Sequence, residues 1–127
     1  MPDEAEISSV CSTIGESAIG RVVAEFYRRV PSDDVLGPMY PPDDLAEAES
    51  RLREFLVYRF GGSDQYLQQR GHPRLRIRHA PFSLTQQARD RWVTLMDQSL
   101  SGAALPPAVE TIMRDFLHQT ATFLINS

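Results

Sequence analysis

Only one stretch of this 127-residue chain alternates polar and apolar residues as a strand does, Arg74-Leu-Arg-Ile-Arg78. No other segment offers it a partner, and a lone strand leaves its backbone groups unpaired. Elsewhere apolar residues recur at three- and four-residue steps, as in the stripe Leu45, Ala48, Leu52, Phe55. The expected fold class is therefore all-α. Residues 74–80 become a short helix bracketed by Pro73 and Pro81, with Leu75 and His79 on one face and Arg74 and Arg78 on another.

Local signals place the other elements. A short helix is expected over 6–13, before Gly15, and a second over 17–30, capped by Ser17, with Val23, Phe26, Tyr27 and Val30 inward. Pro31, Pro38, Pro41 and Pro42 make 31–43 a loop or irregular turn. Asp43 or Asp44 caps the next helix, and Gly61-Gly62 stops it. Residues 63–73 read as mostly irregular, with a turn near Tyr66. A long helix over 84–101 carries Leu84, Ala88, Trp92, Leu95 and Met96 inward and ends at Gly102. Pro106-Pro107 open a last helix to about residue 125, with Val109, Ile112, Met113, Phe116, Leu117, Thr120 and Phe123 on its apolar side. This makes four substantial helices and two short ones.

The length suits one domain over 1–127, large enough to bury one cofactor. Net charge is -4, so a local basic cluster does not make a general nucleic-acid binder. No apolar run approaches the roughly 18 residues of a membrane span. The acidic N-terminus lacks a signal pattern. The one cysteine, Cys11, forms no internal disulfide and reads as a small core residue. Cytoplasmic location is the expectation.

The segment Arg70-Gly-His-Pro-Arg-Leu-Arg-Ile-Arg-His-Ala-Pro-Phe82 holds four arginines and two of the three histidines. His79 lies between a basic flank and an apolar one. A lone inward histidine is more often a hydrogen-bonded core residue than a metal ligand. No HxxxH or CxxC pattern exists for a multi-ligand site. Haem, however, needs one protein ligand, because the porphyrin supplies four nitrogens. Its propionates could pair with arginines at the pocket edge, although a basic run is also simply a solvated face. Leu52, Phe55, Leu75, Phe82, Met96 and Phe123 could wall a flat ring or be plain core. Tyr27, Tyr40 and Trp92 are polar aromatics that could donate to a ligand on iron or to backbone partners.

These pieces together resemble the group II truncated haemoglobins. The resemblance rests on Phe26-Tyr27, the Tyr40-Pro41 turn, Gly61-Gly62, residues 70–82 and Arg89-Asp90-Arg91-Trp92, and it covers nearly the whole chain. The chain departs from the family where a double glycine often follows the first helix, having Gly15-Glu16, and in its few residues before the second helix. The resemblance implies a two-over-two helical sandwich around haem b, with His79 as proximal iron ligand. It places Tyr27, Tyr40 and Trp92 on the distal side, Ala48 at the gate, and Leu52 and Phe55 on the distal wall. Leu45, Tyr66, Leu75, Phe82, Met96 and Phe123 line the pocket, and Arg78, Arg74 and His72 are propionate candidates, Arg78 first.

The implied partners are O2, NO and CO at a five-coordinate iron. Strong donors beside bound O2 argue against bulk transport and for O2/NO redox chemistry such as NO dioxygenation, with an electron donor or reductase from outside the chain. Weak peroxidase activity is a lesser expectation, because Ala48 offers no acid–base group. A haem-based gas sensor or an oxygen carrier is the alternative. A cofactor-free helical bundle and either a monomer or a homodimer also remain open.

Overall fold

The computed structural model describes residues 2–127. Within them the chain forms seven α-helices: α1 (Glu4–Ile14), α2 (Glu16–Arg29), α3 (Leu45–Arg59), α4 (Gln65–Arg70), α5 (Leu75–His79), α6 (Gln86–Ser101) and α7 (Pro107–Phe123). Short 3-10 turns at Val30–Ser32, Gly37–Met39 and Pro42–Asp44 fill the proline-rich connection between α2 and α3. Proline fixes φ near the helical value, which suits single turns and not a continuing helix. α2 packs on α3 and α6, α6 on α7, and α1 on α7, α2 and α3.

Sequence chemistry explains most boundaries. Asp3 accepts from the Glu6 amide at 2.8 Å while Glu6 reaches back to the Asp3 amide at 3.1 Å. This reciprocal cap makes α1 longer than the expected 6–13. Gly15, at φ +83°, precedes α2, so Ser17 is its second residue and not its cap. Asp44 holds the N-cap position of α3, but its carboxylate goes to Arg51 at 3.1 Å and caps no amide. Thr85 accepts from the Ala88 amide and starts α6 two residues later than expected.

Two corrections concern the segment before His79. Residues 65–70 are helical, where mostly irregular chain was expected. Tyr66 is the one buried residue of α4, packed edge-on against Phe55 at 5.5 Å and stacked on Tyr58 at 6.5 Å. Tertiary contact, not periodicity, holds this helix. Arg74 precedes α5 with left-handed backbone, φ +42°, and so does not share a helical face with Arg78.

The core is built from the apolar stripes. Ile19, Val22, Val23 and Phe26 of α2, Leu56 of α3, Met96 and Leu100 of α6 and Met113 of α7 are fully enclosed. Cys11 is buried among them, as a small core residue should be. At the end of α3, Gly61 has φ +91°, and a Cβ there would lie 1.9 Å from the Ser8 carbonyl oxygen. The Cys11 amide donates to the Phe60 carbonyl at 2.8 Å at the same crossing. The glycine pair thus lets α3 stop against the backbone of α1.

Candidate functional site

His79 is the last residue of α5, and its ring is partly buried. Nδ1 lies 2.7 Å from the Leu75 carbonyl oxygen one turn back. A carbonyl only accepts, so Nδ1 carries a proton, and a metal would be met by Nε2. The Phe82 ring sits 6.4 Å from the imidazole, tilted, and is itself half exposed.

Tyr27, Tyr40 and Trp92 come from α2, the α2–α3 connection and α6, and the fold gathers them. Tyr27 meets Tyr40 edge-on at 5.7 Å, and Phe26 touches Tyr27 at 5.0 Å and Trp92 at 5.2 Å. Burial pushes the Tyr40 phenol above its ordinary pKa, against hydrogen bonds from the Tyr27 and Trp92 side chains. Burial also pushes the Tyr27 phenol far up, aided by Tyr40. Both groups therefore stay neutral O–H groups at physiological pH. The Tyr27 hydroxyl and the Trp92 N–H both favour charge on the Tyr40 oxygen, as donors facing it do, so Tyr40 can turn its own proton elsewhere.

Ala48 and Phe55 are buried on α3, and Leu52 and Leu45 pack half-buried against the same core. One cation in this neighbourhood escaped the sequence reading. The charge of Arg51 pulls both phenols downward, and its side chain pairs with Asp44 at 3.1 Å. The available signal was its place one turn after Ala48 on the same helix.

The apolar wall residues divide. A cleft of about 500 Å³ is lined by Ile7, Phe55, Leu75, Phe116, Thr120 and Phe123, with Glu4 and Arg59 among its polar residues. It therefore unites Phe55, Leu75 and Phe123 but not His79 or the three polar aromatics. Phe123 is exposed, and the Arg76 guanidinium lies 5.1 Å from its ring centroid. Met96 is fully enclosed in the main core. His79 contacts Leu75, Phe82 and Asn126, while the aromatic trio contacts itself and Phe26.

Among the basic candidates, Arg78 is already engaged. Its Nη2 donates to the carbonyls of Arg70 and His72, and its guanidinium lies 5.8 Å from the Tyr66 ring centroid. Arg74 and His72 are exposed. Arg70 turns away to Glu47 at 2.9 Å and Glu54 at 3.2 Å.

Residues 9–126 match the family model described as bacterial-like globin. The chain belongs to that family. It is 34% identical over 113 residues to group 2 truncated hemoglobin YjbI of Bacillus subtilis, spanning 89% of this chain and 85% of that protein. A similar solved structure is the hemoglobin of the thermophilic phototrophic bacterium Chloroflexus aurantiacus, with TM-score 0.89, 36% identity and coverage of 94% of this chain and 98% of that one. The truncated oxygen-avid haemoglobin of Bacillus subtilis superposes with TM-score 0.88 at 32% identity over 93% of this chain and 99% of that one. This truncated haemoglobin thus has the two-over-two globin fold, and the expected all-α class and group II kinship both hold. No described helix is long and apolar enough to cross a membrane.

Proposed function

We propose that this truncated haemoglobin holds haem b through His79 and carries out O2 and NO redox chemistry, foremost the oxidation of NO to nitrate. The donor set suits the group. His79 can offer its Nε2 lone pair to a metal, with its ring oriented through Nδ1. One such ligand suffices for a metal that brings four donors of its own. Leu75 and Phe55 supply apolar wall, and Arg51 and the exposed Arg74 supply positive charge for carboxylates at the edge.

Haem bound here would supply a ferrous iron with one open position for O2, CO or NO. The residues opposite decide what that position favours. Tyr40 has a proton to donate, with the Tyr27 hydroxyl and the Trp92 N–H as donors toward its oxygen. Trp92 can only donate, so it presents no lone pair to repel a negative oxygen. A hydrogen bond to a charged acceptor is worth about 1.5–3 kcal/mol, or about one to two decades in a rate of escape. Retention of that kind opposes oxygen delivery and suits oxidation of NO. Ala48 carries no acid–base group, so peroxidase turnover lacks a proton carrier at that position. Each NO oxidised draws one electron from the protein, which makes an external reductase a required partner.

The observation that carries this reading is the Tyr27–Tyr40–Trp92 cluster, with Tyr27 buried, Tyr40 and Trp92 half-buried against the core, and both phenols held neutral. The test begins with haem addition, followed by the Soret band. The intact protein should develop it, and His79→Ala should lose it on gel filtration. O2 release from the ferrous protein is then timed, and NO is added to the oxygenated form. Slow release with rapid stoichiometric nitrate supports the assignment. Fast release without nitrate would move the protein to carriage or sensing.

A further inference from the structure

α5 has five residues and buries none of them. A helix of that length has no stability of its own, so the direction of His79 must be fixed from outside. Upstream, Arg78 fastens the segment to the carbonyls of Arg70 and His72. Downstream, the loop between α5 and α6 is held by residues 126 and 127, which follow α7. The Asn126 side-chain oxygen accepts from the Leu84 amide at 2.8 Å. Its side-chain nitrogen donates to the Phe82 carbonyl at 3.0 Å and, at a longer 3.4 Å, to the carbonyl of His79 itself. The backbone amides of Asn126 and Ser127 both donate to the Leu84 carbonyl, at 2.9 and 3.3 Å. The Ser83 hydroxyl donates to that of Ser127 at 3.1 Å.

We propose that Asn126 is a positioning residue for His79, a clasp that locks the α5–α6 loop and thereby sets the angle and reach of the imidazole. The proposal rests on the reading of His79 as iron ligand. The side chain suits the task because one amide both accepts and donates. Here it accepts from Leu84 on one side of the loop and donates to Phe82 and His79 on the other. An aspartate of the same shape could only accept at neutral pH, and an alanine could do neither. The clasp and the Arg78 fastening bracket α5 from both sides, which compensates for its missing burial.

The test uses haem-loaded protein and compares Asn126→Ala with Thr122→Val. The control removes a nearby α6–α7 fastening, Arg89 Nε to Thr122 Oγ1 at 3.0 Å, without touching the His79 loop. Resonance Raman of the ferrous form reads the iron–imidazole stretch. Transfer of haem to an acceptor globin reads retention. In Asn126→Ala the stretch should shift or broaden and haem loss should quicken about tenfold, as expected for two good hydrogen bonds removed from the loop. Thr122→Val should leave the stretch in place. An unchanged stretch in Asn126→Ala, whether or not haem is lost faster, reduces Asn126 to a general structural contact and overturns the proposal. An intact protein lacking any iron–imidazole stretch overturns the His79 assignment itself, and the proposal falls with it. Those two failures are thus distinct.

Discussion

Arg91 grips Asp33 with two nitrogens, Nε at 3.0 Å and Nη2 at 2.7 Å. The pair ties α6, where Trp92 is the next residue, to the turn that leads from α2 toward Tyr40. The other Asp33 oxygen accepts from the Val35 and Leu36 amides at 3.0 and 2.8 Å, and the carboxylate is only 6% exposed. Asp33→Ala therefore strips two amides of their acceptor and leaves the guanidinium only the exposed Asp34. It should cost about 2–3 kcal/mol in urea denaturation, whereas Arg91→Ala, which leaves both amide bonds in place, should cost about 1–2 kcal/mol. Equal stability of Asp33→Ala and the unchanged protein would mean that the turn holds itself.

The same carboxyl gives a pH dependence with a definite sign. Burial alone would raise its pKa, but the Leu36 and Val35 amides and Arg91 together hold it below the ordinary carboxylate range. At acidic pH the unfolded chain then binds more protons than the folded one, so stability rises with pH through that window. The contribution is present above the unfolded pKa of about 3.9 and is lost as pH falls through the lower folded value. Against Asp33→Asn, the stability advantage of the unchanged protein should be full near neutrality and should shrink progressively below about pH 4. An advantage that stays constant across the acid range would remove Asp33 as its source.

Gly61 and Gly15 both have positive φ, +91° and +83°, but only Gly61 is also crowded. An added Cβ at Gly15 meets nothing within 4 Å, while at Gly61 it would strike the Ser8 carbonyl oxygen at 1.9 Å. Gly15→Ala should therefore cost about 1–2 kcal/mol, the strain of the backbone region alone. Gly61→Ala must also push α1 off the end of α3 and should cost more than about 4 kcal/mol or prevent folding. Thermal melting of the two variants side by side checks the order, and similar losses would mean that α1 yields easily.

These glycines show what a sequence discloses. Gly61-Gly62 reads as a helix stop because the signal is local, whereas the approach of α1 that demands it is not. The stripes of α2, α3, α6 and α7 are legible for the same reason: helical burial repeats within a few residues. α4 is illegible because its one buried residue, Tyr66, is held by aromatic rings of α3. In the candidate site, residue types such as His79, Tyr27, Tyr40 and Trp92 stand out by chemistry. Their fasteners do not, since Arg91–Asp33 spans 58 positions and Asn126–His79 spans 47. Arg78, the first propionate candidate by its place beside His79, donates to the carbonyls of Arg70 and His72 in its own loop, a contact that local periodicity does not disclose.

Arg70 and Glu54 form an ion pair at 3.2 Å between α4 and α3, with side chains 20% and 13% exposed. Glu54 Oε1 and Arg70 Nε are buried without a hydrogen-bond partner among the described residues. Removing one member of a buried pair leaves the other charge poorly compensated. Glu47 also reaches Arg70 at 2.9 Å but is half exposed. Glu54→Ala should thus cost about 2–3 kcal/mol and loosen α4 in amide exchange, and Glu47→Ala less than about 1 kcal/mol. Equal costs would show that solvent, not Glu54, stabilises the guanidinium.

The Tyr27–Tyr40–Trp92 cluster yields the sharpest contrast for the proposed function, because its members differ in what they can do. Trp92→Phe removes a donor yet keeps an aromatic ring against Phe26. Tyr40→Phe removes the donor with the free proton and also leaves Tyr27 and Trp92 without the oxygen they serve. Tyr27→Phe removes one donor to that oxygen and lets the Tyr40 hydroxyl turn. Stopped-flow O2 release from the haem-loaded ferrous protein should therefore quicken most in Tyr40→Phe, by about tenfold to a hundredfold, and by about tenfold in Trp92→Phe. The effect of Tyr27→Phe should be smaller than either, since it acts through Tyr40. Release that is fastest in Tyr27→Phe would reverse the order of the chain and make Tyr27, not Tyr40, the residue that meets the gas.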